Sequence, residues 1–178
     1  SGKPVKNVSV PDVIGLNKDD AKKKIEDEGL VCEPIEVKIT MDDKYYPLDF
    51  VTKQEPSSSS SQIPEGSTVK IYYCAGYSFD IKVDLPDDFK TKTYYVTLWE
   101  DGTMVDKGDK VNSKEKDSYT FDGLSTKNTT ASYTVKISEN GVDEYDLYDI
   151  SVNSETGRIK IIKEYKDYPK TSTGGEEE

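Results

Sequence analysis

The sequence has no histidine, one arginine (Arg158), two cysteines, two methionines and one tryptophan. The first absence removes the commonest general base, the Ser-His and Cys-His nucleophile pairs, and the commonest zinc ligand. Long apolar runs are lacking too. None approaches the roughly 20 residues of a membrane-spanning helix, and only 33% of the residues are hydrophobic. There is no Gly-rich phosphate loop, no Gly-x-Ser-x-Gly turn and no Asp-x-Asp-x-Asp-Gly calcium frame. Base is outnumbered by acid, 24 Lys+Arg against 35 Asp+Glu, for a net charge of -11. A surface of that sign repels nucleic-acid phosphates. These absences point to binding or scaffolding rather than catalysis, with no cofactor, no metal, no nucleic-acid partner and no membrane contact within this stretch.

What is present suits two small domains. The 178 residues include 13 tyrosines and four phenylalanines, enough rings for modest cores. Ser1 and Gly2 read as a tag scar, and residues 1–7 as linker. From residue 8 to 76 a helical half precedes a strand half. Asn17 can cap a helix carrying Asp20 in its first turn. Ala21 and Ile25 lie one turn apart on its apolar face, and Gly29-Leu30 forms a stop signal. Strand-like runs follow at 30–40, 50–54 and 68–74, with a serine-rich loop over 56–66.

From residue 77 to 167 the period becomes two. Phe79, Ile81 and Val83 alternate with polar residues, as do Tyr94, Val96 and Leu98, then Tyr133, Val135 and Ile137, then Ile159 and Ile161. Turn pairs fall between these runs at Asp101-Gly102, Asp122-Gly123, Asn140-Gly141 and Thr156-Gly157. Roughly seven short strands at this spacing read as an antiparallel β-sandwich. Residues 168–178, ending in three Glu, read as a disordered acidic linker.

Cys32 and Cys74 both fall in strand-like parts of the first domain. They are either a disulfide, which would stabilise a small core by about 3–4 kcal/mol in an oxidising exterior, or two buried free thiols. Tyr45-Tyr46-Pro47 is an aromatic cluster that either stacks on a ligand or packs against the protein. The acidic pairs Asp42-Asp43, Asp87-Asp88 and Asp143-Glu144 read as solvated turns.

The ordered set Val10-Pro11-Asp12-Val13, Gly15, Ala21, Ile25, Gly29-Leu30, Val51-x-x-Gln54-x-Pro56, Pro64-x-Gly66-x-x-Val69 and Ile71-Tyr72-Tyr73-Cys74-Ala75-Gly76 resembles a PASTA module, a small cell-wall-associated unit of bacterial kinases and penicillin-binding proteins. Tyr95-Val96-Thr97-Leu98-Trp99, Tyr119-Thr120-Phe121-Asp122-Gly123-Leu124 and Tyr133-Thr134-Val135-Lys136 resemble the immunoglobulin-like, collagen-adhesin B-type sandwiches of Gram-positive surface proteins. The resemblances imply an α+β module, one helix on a small three-stranded sheet, followed by an all-β Ig-like antiparallel sandwich. They also imply a non-catalytic extracellular region at the cell surface or wall that recognises peptidoglycan fragments or stem peptides, most simply the sensor part of a membrane Ser/Thr kinase. The alternative is a spacer in a penicillin-binding protein or adhesin, with no ligand of its own. Gln54, Glu55 and Tyr45 are the candidate ligand contacts, the first two by hydrogen bonding and the third by stacking. Family recognition through a basic residue does not transfer to Arg158, which lies in the other domain. Some adhesin relatives carry a Lys–Asn cross-link assisted by an acid. Lys82 and Glu139 stand nearest to the lysine and acid roles, but the run 158–162 contains no Asn and Asn153 precedes the turn, so solvated side chains are expected.

Overall fold

Asn17 sets the start of the helix α1 (Lys18–Asp27) in the computed structural model, which describes residues 2 and 4–172. Its side-chain oxygen accepts from the Asp19 amide at 2.9 Å, and the acids Asp19 and Asp20 sit where the free amides of the first turn favour negative charge. At the other end Gly29 adopts φ 80°, so the Gly29 amide reaches Glu26 O at 2.9 Å and the Leu30 amide reaches Ile25 O at 3.2 Å. This crossed pair satisfies carbonyls that the helix itself leaves open. Ala21 and Ile25 are fully buried, as the spacing predicts.

By its contacts the chain divides into two units, Ser1–Ser78 and Phe79–Glu178. In the first, β1 (Asn7–Val8) pairs with β4 (Ile63–Pro64) as a small ribbon. β2 (Val31–Thr40), β3 (Val51–Glu55) and the beginning of β5 (Thr68–Asp84) form the predicted three-stranded sheet. Within it β5 is central, parallel to β2 and antiparallel to β3. Val69 and Ile71 of β5 pack with Ala21 and Ile25 of the helix and with Val10, Val13, Leu30 and Val51. This core lies on one face of the sheet only.

The two cysteines do not bridge; both are free. On the parallel ladder Cys32 lies opposite Val69, while Cys74 lies opposite Val37. Val69 and Cys74 are five residues apart on β5, or roughly 16 Å along a strand, against a Cα limit of about 7 Å for a disulfide. Cys32 packs beside the helix core and Cys74 is buried. Burial pushes both thiols above their ordinary pKa, which suits inert, apolar use.

In the second unit, β6 (Thr93–Glu100), β7 (Thr103–Asn112), β9 (Thr130–Ser138), β10 (Tyr145–Asn153) and β11 (Arg158–Glu164) form an antiparallel sheet in the order β11-β10-β9-β6-β7. β8 (Ser118–Thr126) pairs instead with β5. Alternation fills the space between with buried side chains: Phe79, Ile81 and Val83 from β5, Phe121 from β8, and Tyr94, Val96, Leu98, Tyr133, Val135 and Ile150 from the larger sheet. The Phe79 and Tyr133 rings lie 5.8 Å apart.

The expectation of a disordered linker from residue 168 needs correction. Tyr168 is buried against Phe89, with ring centroids 5.9 Å apart, and its hydroxyl donates to Asp88 at 2.6 Å. The Lys90 amide bonds Pro169 O, and the Thr171 amide bonds Asp88 O. An aromatic side chain with a charged partner is enough to fix this segment. Of the linker expected over residues 1–7, Lys6 O accepts from the Glu65 amide at 2.7 Å and Asn7 already pairs with Pro64 in β1; Ser1, Lys3 and residues 173–178 lie outside the described residues.

Candidate ligand surface on the helix-and-sheet unit

The sheet of the first unit keeps one face clear of the helix. Partners across a ladder share a face, so the register gives two rows on that face: exposed Glu33, Lys70 and Glu55 in one, and half-buried Ile35 and Tyr72 with exposed Lys53 in the other. Three of these side chains are tied together. Lys53 Nζ lies 2.9 Å from Glu55 Oε1, the Tyr72 hydroxyl donates to Glu55 Oε2 at 3.2 Å, and Lys53 Nζ sits 5.3 Å from the Tyr72 ring centroid. The Lys53 hydrogen bond and charge hold the Glu55 carboxyl below the usual carboxylate range, and Glu55 raises Lys53 in return. The cluster offers ammonium groups for a ligand carboxylate, a carboxylate for ligand N–H groups and a half-buried ring for apolar contact. That is the chemistry of peptide recognition.

The three candidate contacts read from the sequence fall in different places. Glu55 belongs to this surface. Gln54 does not: it is 4% exposed and points into the opposite side of the sheet. Its Oε1 accepts from the Val13 amide at 2.9 Å, and its Nε2 donates to Pro11 O at 2.9 Å and Pro56 O at 3.1 Å. The side chain is saturated, and it clamps the segment before the helix to the start of the serine-rich loop. The assignment of Gln54 as a ligand contact is therefore corrected to a structural one. Tyr45 is also engaged by the protein, its ring stacked on Tyr77 at 5.6 Å, while the Tyr77 hydroxyl donates to Tyr46 O at 2.8 Å. Lys53, Lys70 and Tyr72 are the residues that the sequence reading missed. A period of two through Lys53-Gln54-Glu55 and Lys70-Ile71-Tyr72 already separates them from the buried Gln54 and Ile71.

In the second unit each candidate cross-link residue has its own setting. Lys82 is exposed, Glu139 pairs with Lys90 at 2.9 Å, and Asn153 Oδ1 caps the amides of Glu155 and Thr156.

The structure defines a helix-on-sheet module followed by an Ig-like antiparallel sandwich. Comparison with family models gives the two parts their names: residues 8–74 match the PASTA domain and residues 84–164 the Cna protein B-type domain. The chain carries a PASTA domain followed by a Cna protein B-type domain, as the motif residues imply, and both are non-catalytic types. Among solved structures it is similar to the entire extracellular region of the Ser/Thr kinase PrkC from Staphylococcus aureus, at 21% identity and a TM-score of 0.34. That match covers 80% of this chain and 51% of the other, so the chain spans about half the length of that structure. No curated protein sequence matches the chain.

Proposed function

We propose that this chain is part of a non-catalytic extracellular region that binds peptidoglycan fragments through its PASTA domain, as the sensor portion of a membrane Ser/Thr kinase. The observation that carries this reading is the PASTA match over residues 8–74, a domain type associated with peptidoglycan-type ligands. The exposed rows of the sheet supply fitting chemistry. Lys53 and Lys70 meet the carboxylates of a stem peptide, Glu55 accepts from its N–H groups, and Tyr72 with Ile35 covers its apolar atoms. The same match supports extracellular placement at the cell wall.

The test is titration of the intact, isotope-labelled chain with a purified disaccharide-pentapeptide muropeptide. The reading expects saturable amide shifts at Lys53, Glu55, Lys70 and Tyr72. Lys53→Ala should weaken binding about two- to fivefold, the scale of an exposed ion pair. No saturable shift at millimolar ligand would leave a spacer as the function of the first unit.

A further inference from the structure

We propose that the free edge of β2 pairs antiparallel with β2 of a second copy of this chain, centred on Val37, joining two helix-and-sheet units edge to edge. β2 ends the sheet order β2-β5-β3, and an edge strand presents a row of open amides and carbonyls. Two hydrogen bonds show which residues present them. The amides of Val31 and Met41 donate towards β5, to Ser67 O at 2.9 Å and Ser78 O at 3.0 Å. Backbone groups of successive strand residues point to alternate sides, so the odd-numbered residues face β5, while Glu36, Lys38 and Thr40 face outward. Pro34, which has no amide to give, falls on the outward side, as an edge proline must.

The strands at the other ends of the two larger sheets are built against such pairing. β3 carries an extra residue at Thr52, β7 at Lys107-Gly108 and β11 at Ile162, and bulges of this kind turn an edge away from a flat partner. β11 adds Arg158, Lys160 and Lys163, like charges that keep its own copy off. β2 carries no extra residue: where its ladder with β5 slips, the surplus residue is Ala75 of β5.

The β2 edge complements itself in one register. With Val37 on the two-fold axis, Glu36 lies opposite Lys38 of the second copy and Lys38 opposite its Glu36. The outward amides and carbonyls of both residues meet their counterparts, and unlike charges face each other. Thr40 lies opposite Pro34. Its amide donates to Pro34 O, and the amide that Pro34 lacks is not needed, because Thr40 O already accepts from Asp43 at 2.9 Å. On the other face Val37 meets Val37 and Ile35 meets Ile39, all half-buried in the single chain. Residues at such non-hydrogen-bonded positions stand with Cα atoms about 4.5 Å apart, where β-branched pairs pack well. Sliding the second copy by two residues sets Glu36 against Glu36 or Lys38 against Lys38. It also leaves Lys38 O facing Pro34, or the Glu36 amide facing the occupied Thr40 O. Glu36 Oε1 accepts from the Tyr73 hydroxyl at 3.2 Å, and a carboxylate accepts at both oxygens. The three N–H donors of Lys38 serve an interaction inside the chain and the second copy together.

A single strand pair is a small interface, so the association is weak, with Kd on the order of 0.1 mM. The test compares the intact, ligand-free chain at concentrations from about 10 µM to about 1 mM, on either side of that value. Sedimentation equilibrium should show monomer and dimer in exchange. Amide hydrogen exchange should slow with concentration at Glu36, Lys38 and Thr40 but not at Ile35, Val37 and Ile39, which face β5. Glu36→Lys and Lys38→Glu should each weaken the dimer about tenfold, because each makes both charge pairs repulsive. Mixed together, the two variants should dimerise as the parent chain does, since every facing pair is again Lys against Glu. Amide dispersion checks the fold of both, and if either unfolds, the exchange pattern of the parent chain decides alone. A monomer up to about 1 mM, a dimer without slower exchange at the three outward amides, or folded variants that match the parent or are not restored by mixing, overturns the proposal. No ligand enters, so the outcome is independent of muropeptide binding.

Discussion

Replacing Gln54 with alanine separates a structural clamp from a ligand contact. The side chain makes three hydrogen bonds from a position 4% exposed. The most serious loss is at Val13, whose residue is fully buried; its amide would be left unpaired, at about 1–3 kcal/mol. The carbonyls of Pro11 and Pro56 belong to partly exposed residues and can turn to water, so they cost about 0.5–1 kcal/mol each. The total is about 3 kcal/mol. A unit of this size holds roughly 4–12 kcal/mol in all, so Gln54→Ala should remove a large part of its stability. Gln54→Met fills the same volume without the hydrogen bonds and should cost nearly as much. The assay is urea unfolding of the intact chain, read by amide hydrogen exchange at Val13, Val51 and Ile71 to isolate the first unit. A cost under about 0.5 kcal/mol, or a Val13 amide still fully protected in Gln54→Ala, would refute the clamp. Normal stability with lost muropeptide binding would restore Gln54 as a contact.

Three further outcomes follow from the structure. Gly108→Ala forces a left-handed residue and a backbone clash at 1.8 Å, so the second unit should lose at least about 2 kcal/mol; Trp99 fluorescence during thermal unfolding measures it, and an unchanged midpoint contradicts the bulge. Because Lys53 holds the Glu55 carboxyl down, that attraction is present above the unfolded-state pKa and fades as pH falls through the folded one. Lys53→Met should therefore move the Glu55 carboxyl resonance titration upward, towards the ordinary range. Tyr133 and Tyr148, by burial, and Tyr165, by its hydrogen bond to Asp149, have pKa values pushed up to about 12. Their contribution is complete below the unfolded value of about 10 and lost as pH rises towards 12, so tyrosinate absorbance and loss of β-sheet circular dichroism should rise together; a smooth titration near pH 10 with the dichroism intact contradicts this.

The sequence is most legible where a local signal states both ends of an element. Asn17, the Ala21/Ile25 spacing and Gly29-Leu30 specify the helix start, its buried face and its stop, and all three act within ten or so residues. β7 is harder to read because it forms an edge: of its ten residues only Val111 is buried, so the alternation that marks the other strands is absent. The cysteine pairing was not readable from spacing, because it depends on the register of a parallel ladder whose strands lie more than 30 residues apart. Gln54 shows the same limit more sharply. Parity along β3 sets its side chain on the face opposite Lys53 and Glu55, but its partners at Pro11 and Val13 are 43 and 41 residues away. Tyr168 was legible in principle, as a large ring in an otherwise polar tail, yet its contacts with Phe89 and Asp88 needed the fold.

These placements bear on where specificity can reside. The residues that identify the first domain are consumed by folding: Val10, Val13, Ala21, Ile25, Val51 and Val69 build the core, Gly29 ends the helix, and Gln54 ties the loops. A residue saturated by its own chain cannot also discriminate among ligands without destabilising the fold. Discrimination is left to side chains that the motif does not constrain, and on the open sheet face these are Ile35, Lys53, Glu55 and Lys70 around Tyr72. On the proposed reading, two chains with the same identifying residues can therefore differ in ligand, or bind none, according to four or five positions on this face. On the same reading, the acid-base pair at Lys53 and Glu55 favours a ligand that carries both a carboxylate and amide N–H groups.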